Sequence, residues 1–287
     1  MKAQMMFAVL MSAMASAATL TVGEGLEYED PHDALALVQD GDTVLILAGT
    51  YEFDQSLELW GRKDVAVIGG EGAVLVCNSR TENVMWIVNS DRVTVSGLRA
   101  THTMPEAEER CYGNVFAIDS CDSVTVMNCD ICGCGAIGVY TFNCGDVFLR
   151  NNFIHDNTLW AVQYEGQNLL AEDSGIPGLT MEGNTIVNNG GRRTDMVLSK
   201  GTSTGELVDI TNDGGYLVMV FTGSPRDRLS VCYLSPGCRG PWLDIFRDPG
   251  DYIGSMMEYE WRQVLTVFPP YDYGEEILEI TSVRLPE

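Results

Sequence analysis

The sequence predicts an all-β chain in two parts: stacked parallel coils under a short helix, then a small antiparallel barrel. Three observations carry this. An amphipathic run near the start hands over to alternating strands, a strand motif recurs at about one coil's length, and the composition changes after Val187. Alternation with a period of two marks half-buried strands. A repeat of twenty to fifty residues marks units that cannot close a core alone and must stack on their neighbours.

The first residues have the make-up of an export signal. Lys2 gives a thin positive region, Met5 to Met14 an apolar stretch, and Ala15-Ser16-Ala17 a small-residue cleavage site. The apolar stretch is shorter than the ~20 residues that span a bilayer. Cleavage after Ala17 is therefore expected to yield a soluble, secreted or periplasmic protein without membrane insertion. With 17 Lys and Arg against 41 Asp and Glu, the net charge is −24. That balance repels nucleic acid and anionic lipid, and is compatible with neutral glycans, cations or a solvated surface.

A capping helix is expected over Pro31 to Gln39 (PHDALALVQ). It is followed by GDTVLILAGTY (Gly41 to Tyr51), SLEL (Ser56 to Leu59) and DVAVIGGEGAVL (Asp64 to Leu75). Stacking Val93, Val124, Val147 and Leu179 aligns VTVSGLRA, VTVMNCDI, VFLRNNFI and LTMEGNTI, at spacings of 31, 23 and 32 residues. A bare coil of 23 residues thus appears once, and twice with an insertion. Asn128 aligns with Asn151 and Asn152 with Asn184, so these asparagines are expected to hydrogen-bond along the coil axis, where rungs lie ~4.8 Å apart. A second strand precedes each of the four. There Met85, Phe116, Val139, Val162, Ile87, Ile118, Thr141 and Tyr164 are expected inside. The opposite parity puts Trp86, Val88, Asp119, Tyr140, Phe142, Gln163 and Glu165 in an outward stripe.

The helix followed by "GDT, apolar run, GTY" resembles the start of secreted right-handed parallel β-helix proteins, the pectate-lyase-like superfamily. That resemblance implies a right-handed parallel β-helix with an N-terminal capping helix and says little of function, because the fold carries lyases, hydrolases, binding proteins and scaffolds alike. The expected divisions are residues 1–17 (signal), 18–190 (β-helix), 191–202 (linker, around NNGGRRT) and 203–287 (barrel). In the last part GELVDI, YLVMVF, RLSVCYL, a stretch from Trp261 to Phe268 and EILEITSVRL read as strands, with Asn212 to Gly215 as a hairpin turn. With "PGDYIG" before a strand and a final "LEITSV", this part resembles small exported OB-fold barrels. From Asp195 onward it carries 7 Lys and Arg against 15 Asp and Glu, a net of −8. Nucleic acid needs a basic groove, so an OB-like β-barrel for saccharide binding or an interface fits better.

Candidate chemistry falls on the outward stripe, where the resemblance places sites. Asp119 and Glu165 sit two coils apart, about 9–10 Å at the backbone, near the 6.5–9.5 Å between carboxyls in inverting glycosidases. They are the candidate catalytic pair. Trp86, Tyr140 and Phe142 can stack on sugar rings, with Gln163 as a polar contact. The polygalacturonase branch implies paired aspartates in adjacent coils and a Gly-His-Gly turn, and neither is present. The pectate lyase branch implies calcium carboxylates with a basic residue, yet Arg92, Arg99, Arg110 and Arg150 all lie off the stripe. The insertion Thr101 to Gly113 carries His102, Glu106, Glu108 and Glu109, read as a solvated acidic loop or a cation site. His155-Asp156 reads as a locally bonded turn.

Nine cysteines leave at least one unpaired. Cys129, Cys132 and Cys134 form C-x-x-C-x-C, but no matching second pair stands at zinc spacing. Cys121 and Cys144 are expected as stacked neighbours, in a disulfide or a thiol ladder, and Cys232 and Cys238 as closing a loop. The coils also resemble the β-helix proteins that assist copper insertion, though the thiols are not arranged for copper. No cofactor and no metal is expected. The sequence reads as an exported carbohydrate-recognising protein for a polysaccharide or surface glycan. The alternatives are a glycoside hydrolase and a structural surface protein.

Overall fold

The computed structural model describes residues 17–103, 112–133, 136–173, 175–190, 193–213, 216–222, 229–267 and 274–285. Residues 1–16 of the expected signal, and Glu106, Glu108, Glu109, Arg110 and Cys134, lie outside them.

Three parallel sheets run the length of the first part. The first stacks Thr19–Val22, Thr43–Ile46, Ala66–Gly69, Thr94–Ser96, Val124–Met127, Val147–Arg150 and Leu179–Glu182. The second stacks Leu57–Trp60, Met85–Val88, Phe116–Asp119, Ile137–Phe142 and Trp160–Tyr164, closed by an antiparallel Gln167–Leu169. The third stacks Gly49–Phe53, Ala73–Cys77, Arg99–His102, Asp130–Cys132, Phe153–His155 and Thr185–Val187. The chain visits the first, third and second sheets in turn, so each circuit adds one rung to all three. The aligned valines fall in register, Val124 beside Val147 and Val147 beside Leu179.

Alternation then fills the interior. Met85, Phe116, Val139 and Val162 form one fully buried row, and Val67, Val95, Val126 and Leu149 another. Each such side chain contributes roughly 1.5–3 kcal/mol by leaving water. Val88 departs from the expected parity: although in the outward row, it is buried.

The corners are columns of left-handed backbone. Gly97, Asn128, Asn151 and Gly183 have φ of 70°, 52°, 52° and 68° where the chain leaves the first sheet. Gly61, Asn89, Ser120 and Asn143 repeat this after the second. Most side chains resist that conformation by about 1–2 kcal/mol, while glycine and asparagine adopt it readily. Asn128 and Asn151 are thus corner residues. The axial ladder forms one position on: Asn152 Nδ2 and its backbone N–H both donate to Asn184 Oδ1 at 3.0 Å. Asn152 Oδ1 accepts from Cys129 N at 3.0 Å, and Glu172 Oε1 ends the row by accepting from Asn184. The passage from first to third sheet takes two residues in successive coils, as at Gly97-Leu98, Asn128-Cys129 and Asn151-Asn152. The passage from third to second varies from residues 54–56 in one coil to 103–115 in another.

The helix Pro31–Leu37 covers the first rung. Asp30 caps it by accepting from His32 N at 2.9 Å, Pro31 opens it, and Pro31, Ala34 and Leu35 are buried. At the far end follows a closed barrel in the order Arg193–Asp213, Tyr216–Thr222, Leu229–Arg239, Gly274–Arg284 and Met256–Val267. All its pairings are antiparallel except that of Leu229–Arg239 with Gly274–Arg284. Helix Trp242–Arg247 lies between the third strand and Met256–Val267. Leu207, Met219, Phe221, Leu234, Met257 and Ile280 fill the core. The expected turn Asn212 to Gly215 joins paired strands, with residues 214–215 outside the described set.

The linker expected over 191–202 is corrected. From Arg193 the chain is strand, paired with Met256–Val267 in the barrel. Further along this strand Trp261 packs on Gly201: its ring lies where a Cβ on Gly201 would be 2.9 Å away, and its Nε1 donates to Ser203 Oγ at 2.9 Å. Asn188 and Asn189 are buried too, Asn189 Oδ1 accepting from Asn157 Nδ2 at 2.8 Å. No helix among the described residues is long and apolar enough to cross a membrane.

These corners make a direct prediction. Asn152→Ala strands buried backbone groups and is expected to cost about 1–3 kcal/mol, seen as a lower denaturant midpoint. Asn151→Gly should shift it by only a few tenths, whereas Asn151→Val should cost about 1–2 kcal/mol.

Candidate functional site

The outward face of the second sheet brings the stripe together. Trp86, Ala117, Tyr140 and Gln163 stand in register on consecutive rungs, preceded by Glu58 and followed by Asn168. The neighbouring row is Trp60, Val88, Asp119 and Phe142. Trp60 and Phe142 are over half exposed, at 53% and 57%, while Trp86, Tyr140 and Gln163 are partly covered. Trp60 meets Trp86 edge to face at 5.9 Å, and Gln163 Nε2 donates to Asn168 Oδ1 at 2.5 Å. Trp60 directly follows SLEL, and with Glu58 it extends the outward stripe by one coil, beside Val88 and Trp86 respectively.

At its N-terminal end the stripe opens into a cavity of about 610 Å³ beneath the capping helix, lined by His32, Gln55, Glu58, Trp60, Arg62 and Glu82. Ser56 Oγ donates to Glu82 Oε2 at 3.0 Å, which fixes that carboxylate at the wall. Arg62 is the basic group here. Arg92 is taken by Asp64 and Asp91, and Arg150 by Glu182.

Asp119 and Glu165 do not have matching environments. Asp119 Oδ1 accepts from Ser120 Oγ at 2.8 Å. Glu165, at φ 46°, folds back over the preceding corner and accepts from the backbone N–H of Asn143 and Cys144, both at 3.0 Å. Its carboxylate closes a turn.

Cys121 and Cys144 form a thiol ladder, not a disulfide. Cys144 donates to Ile118 O at 3.3 Å and Cys121 to Ile87 O at 3.4 Å, one rung apart. Burial pushes the thiols of Cys121 and Cys129 up to about 11. Cys232 and Cys238 do not close a loop; both are free thiols packed in the barrel core, where burial pushes Cys232 up to about 12.

His102 closes the strand Arg99–His102. It is buried on the third sheet, its Nε2–H donates to Glu82 O at 2.8 Å, and Nδ1 has no partner. Burial lowers its pKa although the Glu82 carbonyl opposes this, so the ring is held neutral. His155, by contrast, makes two side-chain bonds, to Asp156 in its own turn and to Asp130 one coil earlier.

Stacked parallel rungs, an inner apolar column and an outward aromatic row define the parallel β-helix class. The family model described as "Right handed beta helix region" matches residues 59–218. The chain belongs to that family. No curated protein sequence matches it. Among solved structures, a pectin methylesterase in complex with a hexasaccharide aligns with 60% of this chain and 62% of its own, at 13% identity and a TM-score of 0.32. Pectin methylesterase PemA from Erwinia chrysanthemi aligns over the same shares at 12% identity and 0.28. ORF18 of Geobacillus virus E2 aligns with 91% of this chain and 76% of its own, at 9% and 0.20. The chain thus spans about three-fifths of the pectin methylesterases it matches.

The neutral His102 sets a pH dependence. A depressed folded-state pKa adds stability above the unfolded value of about 6.5, and that stability is lost as pH falls through the lowered folded value. Comparing denaturant midpoints across this window, His102→Gln should remove that part of the acid loss while lowering stability at neutral pH.

Proposed function

We propose that this is an exported carbohydrate-recognising β-helix protein. It binds a neutral polysaccharide or surface glycan along the outer face of the second sheet, without catalysis. The observation that carries this reading is the in-register display of Trp86, Tyr140 and Gln163 beside exposed Trp60 and Phe142. Rings held on rigid strands offer apolar faces to sugar C–H surfaces at little entropic cost. Glu58, Gln163 and Asn168 supply hydrogen-bond partners for hydroxyls. The carboxylates of Glu58 and Glu82 share the cavity wall with a single guanidinium, Arg62, which favours an uncharged chain over a polyuronate.

Export, to the periplasm or beyond, rests on the composition of residues 1–17. The barrel is read as an OB-type module. Five strands in the order first, second, third, fifth, fourth, with third and fifth parallel and a helix before the fourth, support that reading. Its acidity fits an accessory or interface role better than nucleic-acid binding.

The rival is a glycoside hydrolase using Asp119 and Glu165. Glu165 is committed to the N–H groups of Asn143 and Cys144, which leaves Asp119 without a free second carboxylate. A structural surface protein that merely displays loops is the third reading.

Carbohydrate-array binding separates the three. Wild type is expected to bind a neutral glycan. Trp86→Ala and Tyr140→Ala should each weaken it roughly tenfold, equal to about 1.4 kcal/mol. Reducing-sugar release that disappears in Asp119→Asn would establish the hydrolase instead. Failure of wild type to bind any glycan would leave the display role.

A further inference from the structure

We propose that Asp130, Cys132 and His155 form a binding site for a zinc-like divalent transition ion, on the outer face of the third sheet. Asp130 and Cys132 lie two apart on one strand, so both point outward while Ile131 between them is buried. His155 is the register partner of Cys132 on the next rung. The period of the coil therefore brings the three side chains together, and one ligand atom from each lies within 4.8 Å of the others.

The surroundings suit an ion better than packing alone. His155 Nδ1 is held by Asp156 Oδ2 at 2.9 Å, which orients Nε2 toward Asp130 Oδ1 at 2.8 Å. A carboxylate on the far nitrogen is the usual support of a metal-binding histidine. Asp156 is itself held by Asn188 Nδ2, which also donates to Ser235 O in the barrel at 3.2 Å. Phe153 lies 4.1 Å from the imidazole and Trp242 meets it edge-on at 5.6 Å, giving an apolar roof. Cys132 and His155 are only 2% and 3% exposed, whereas the Asp130 side chain keeps 24%, so entry and an open fourth position lie on the Asp130 side.

One nitrogen, one sulfur and one oxygen suit a borderline ion such as zinc or cobalt(II), with water as fourth ligand. Calcium and magnesium prefer oxygen throughout. On binding, bonds form from the ion to Nε2, Sγ and a carboxylate oxygen. The Cys132 thiol proton and any proton shared by His155 and Asp130 pass to solvent. No electron moves.

The test uses the full chain, stripped with chelator and titrated with cobalt(II) under a non-thiol reductant. Wild type should take up one equivalent and develop a thiolate-to-cobalt charge-transfer band. Cys132→Ser should abolish the band, whereas Cys129→Ser, altering a thiol in the coil interior, should keep it. Asp156→Asn should keep the band but weaken affinity about 10–100-fold. Should Cys132→Ser fail to fold, Asp130→Asn, at the partly exposed ligand, should weaken binding at least tenfold. Absence of the band in folded wild type, its survival in Cys132→Ser, or unchanged affinity in Asp130→Asn would overturn the proposal. None of these outcomes depends on glycan binding.

Discussion

The structure rests on the parallel register that stacks each circuit of chain on the one before. Strands ~4.8 Å apart bring residues 23 to 32 positions distant in sequence into adjacent places. That register is held by the inner apolar rows and by corners at which glycine, asparagine and serine take left-handed backbone. A slip of one residue would turn Met85, Phe116, Val139 and Val162 outward. It would also move the corner asparagines onto positions that need extended backbone. Apolar burial and turn chemistry thus select the same alignment, the agreement that gives a chain a single fold.

Much of this was legible because the repeat is carried by residues with strict physical demands. Valines at the head of the first-sheet strands, alternating interiors and asparagines in pairs gave the coil and the parity of the stripe. NNGGRRT has the turn chemistry of a linker, but Asn188 and Asn189 are buried against the stack and the chain from Arg193 is drawn into the barrel by pairing with Met256–Val267, a strand far along the chain. For Cys121 with Cys144 the spacing left a disulfide and a thiol ladder open, and the structure takes the ladder, while Cys232 and Cys238, expected to close a loop, stay free thiols. Spacing brings cysteines near one another, but the choice between thiol and bridge depends on geometry that spacing does not encode. Glu165 lies just past the strand end at Tyr164, where left-handed backbone turns its carboxylate onto the N–H groups of Asn143 and Cys144.

The two parts of the molecule use one device at opposite ends. A stack of strands leaves bare hydrogen-bonding edges, which invite further strands. Helix Pro31–Leu37 covers the first rung, and Glu172 terminates the asparagine row. The barrel meets the last coils through Asn188 with Ser235, Asn212 with Ile186, and Arg247 over Phe153 at 5.3 Å. These contacts also bury the outward face of the third sheet around His155. The same architecture therefore keeps one face open, with its aromatic row, and shields another.

The unequal corners have an evolutionary consequence. The bend between the first and third sheets stays short, at two residues in most coils and at residues 70–72 in one. The passage from third to second sheet already accepts anything from a short bridge to a long excursion. Added length there leaves the three stacked sheets continuous. The passage from second to first sheet grows likewise, from residues 143–146 to residues 165–178, so such a coil can acquire new specificity by lengthening arcs at two of its seams, with its scaffold inherited unchanged.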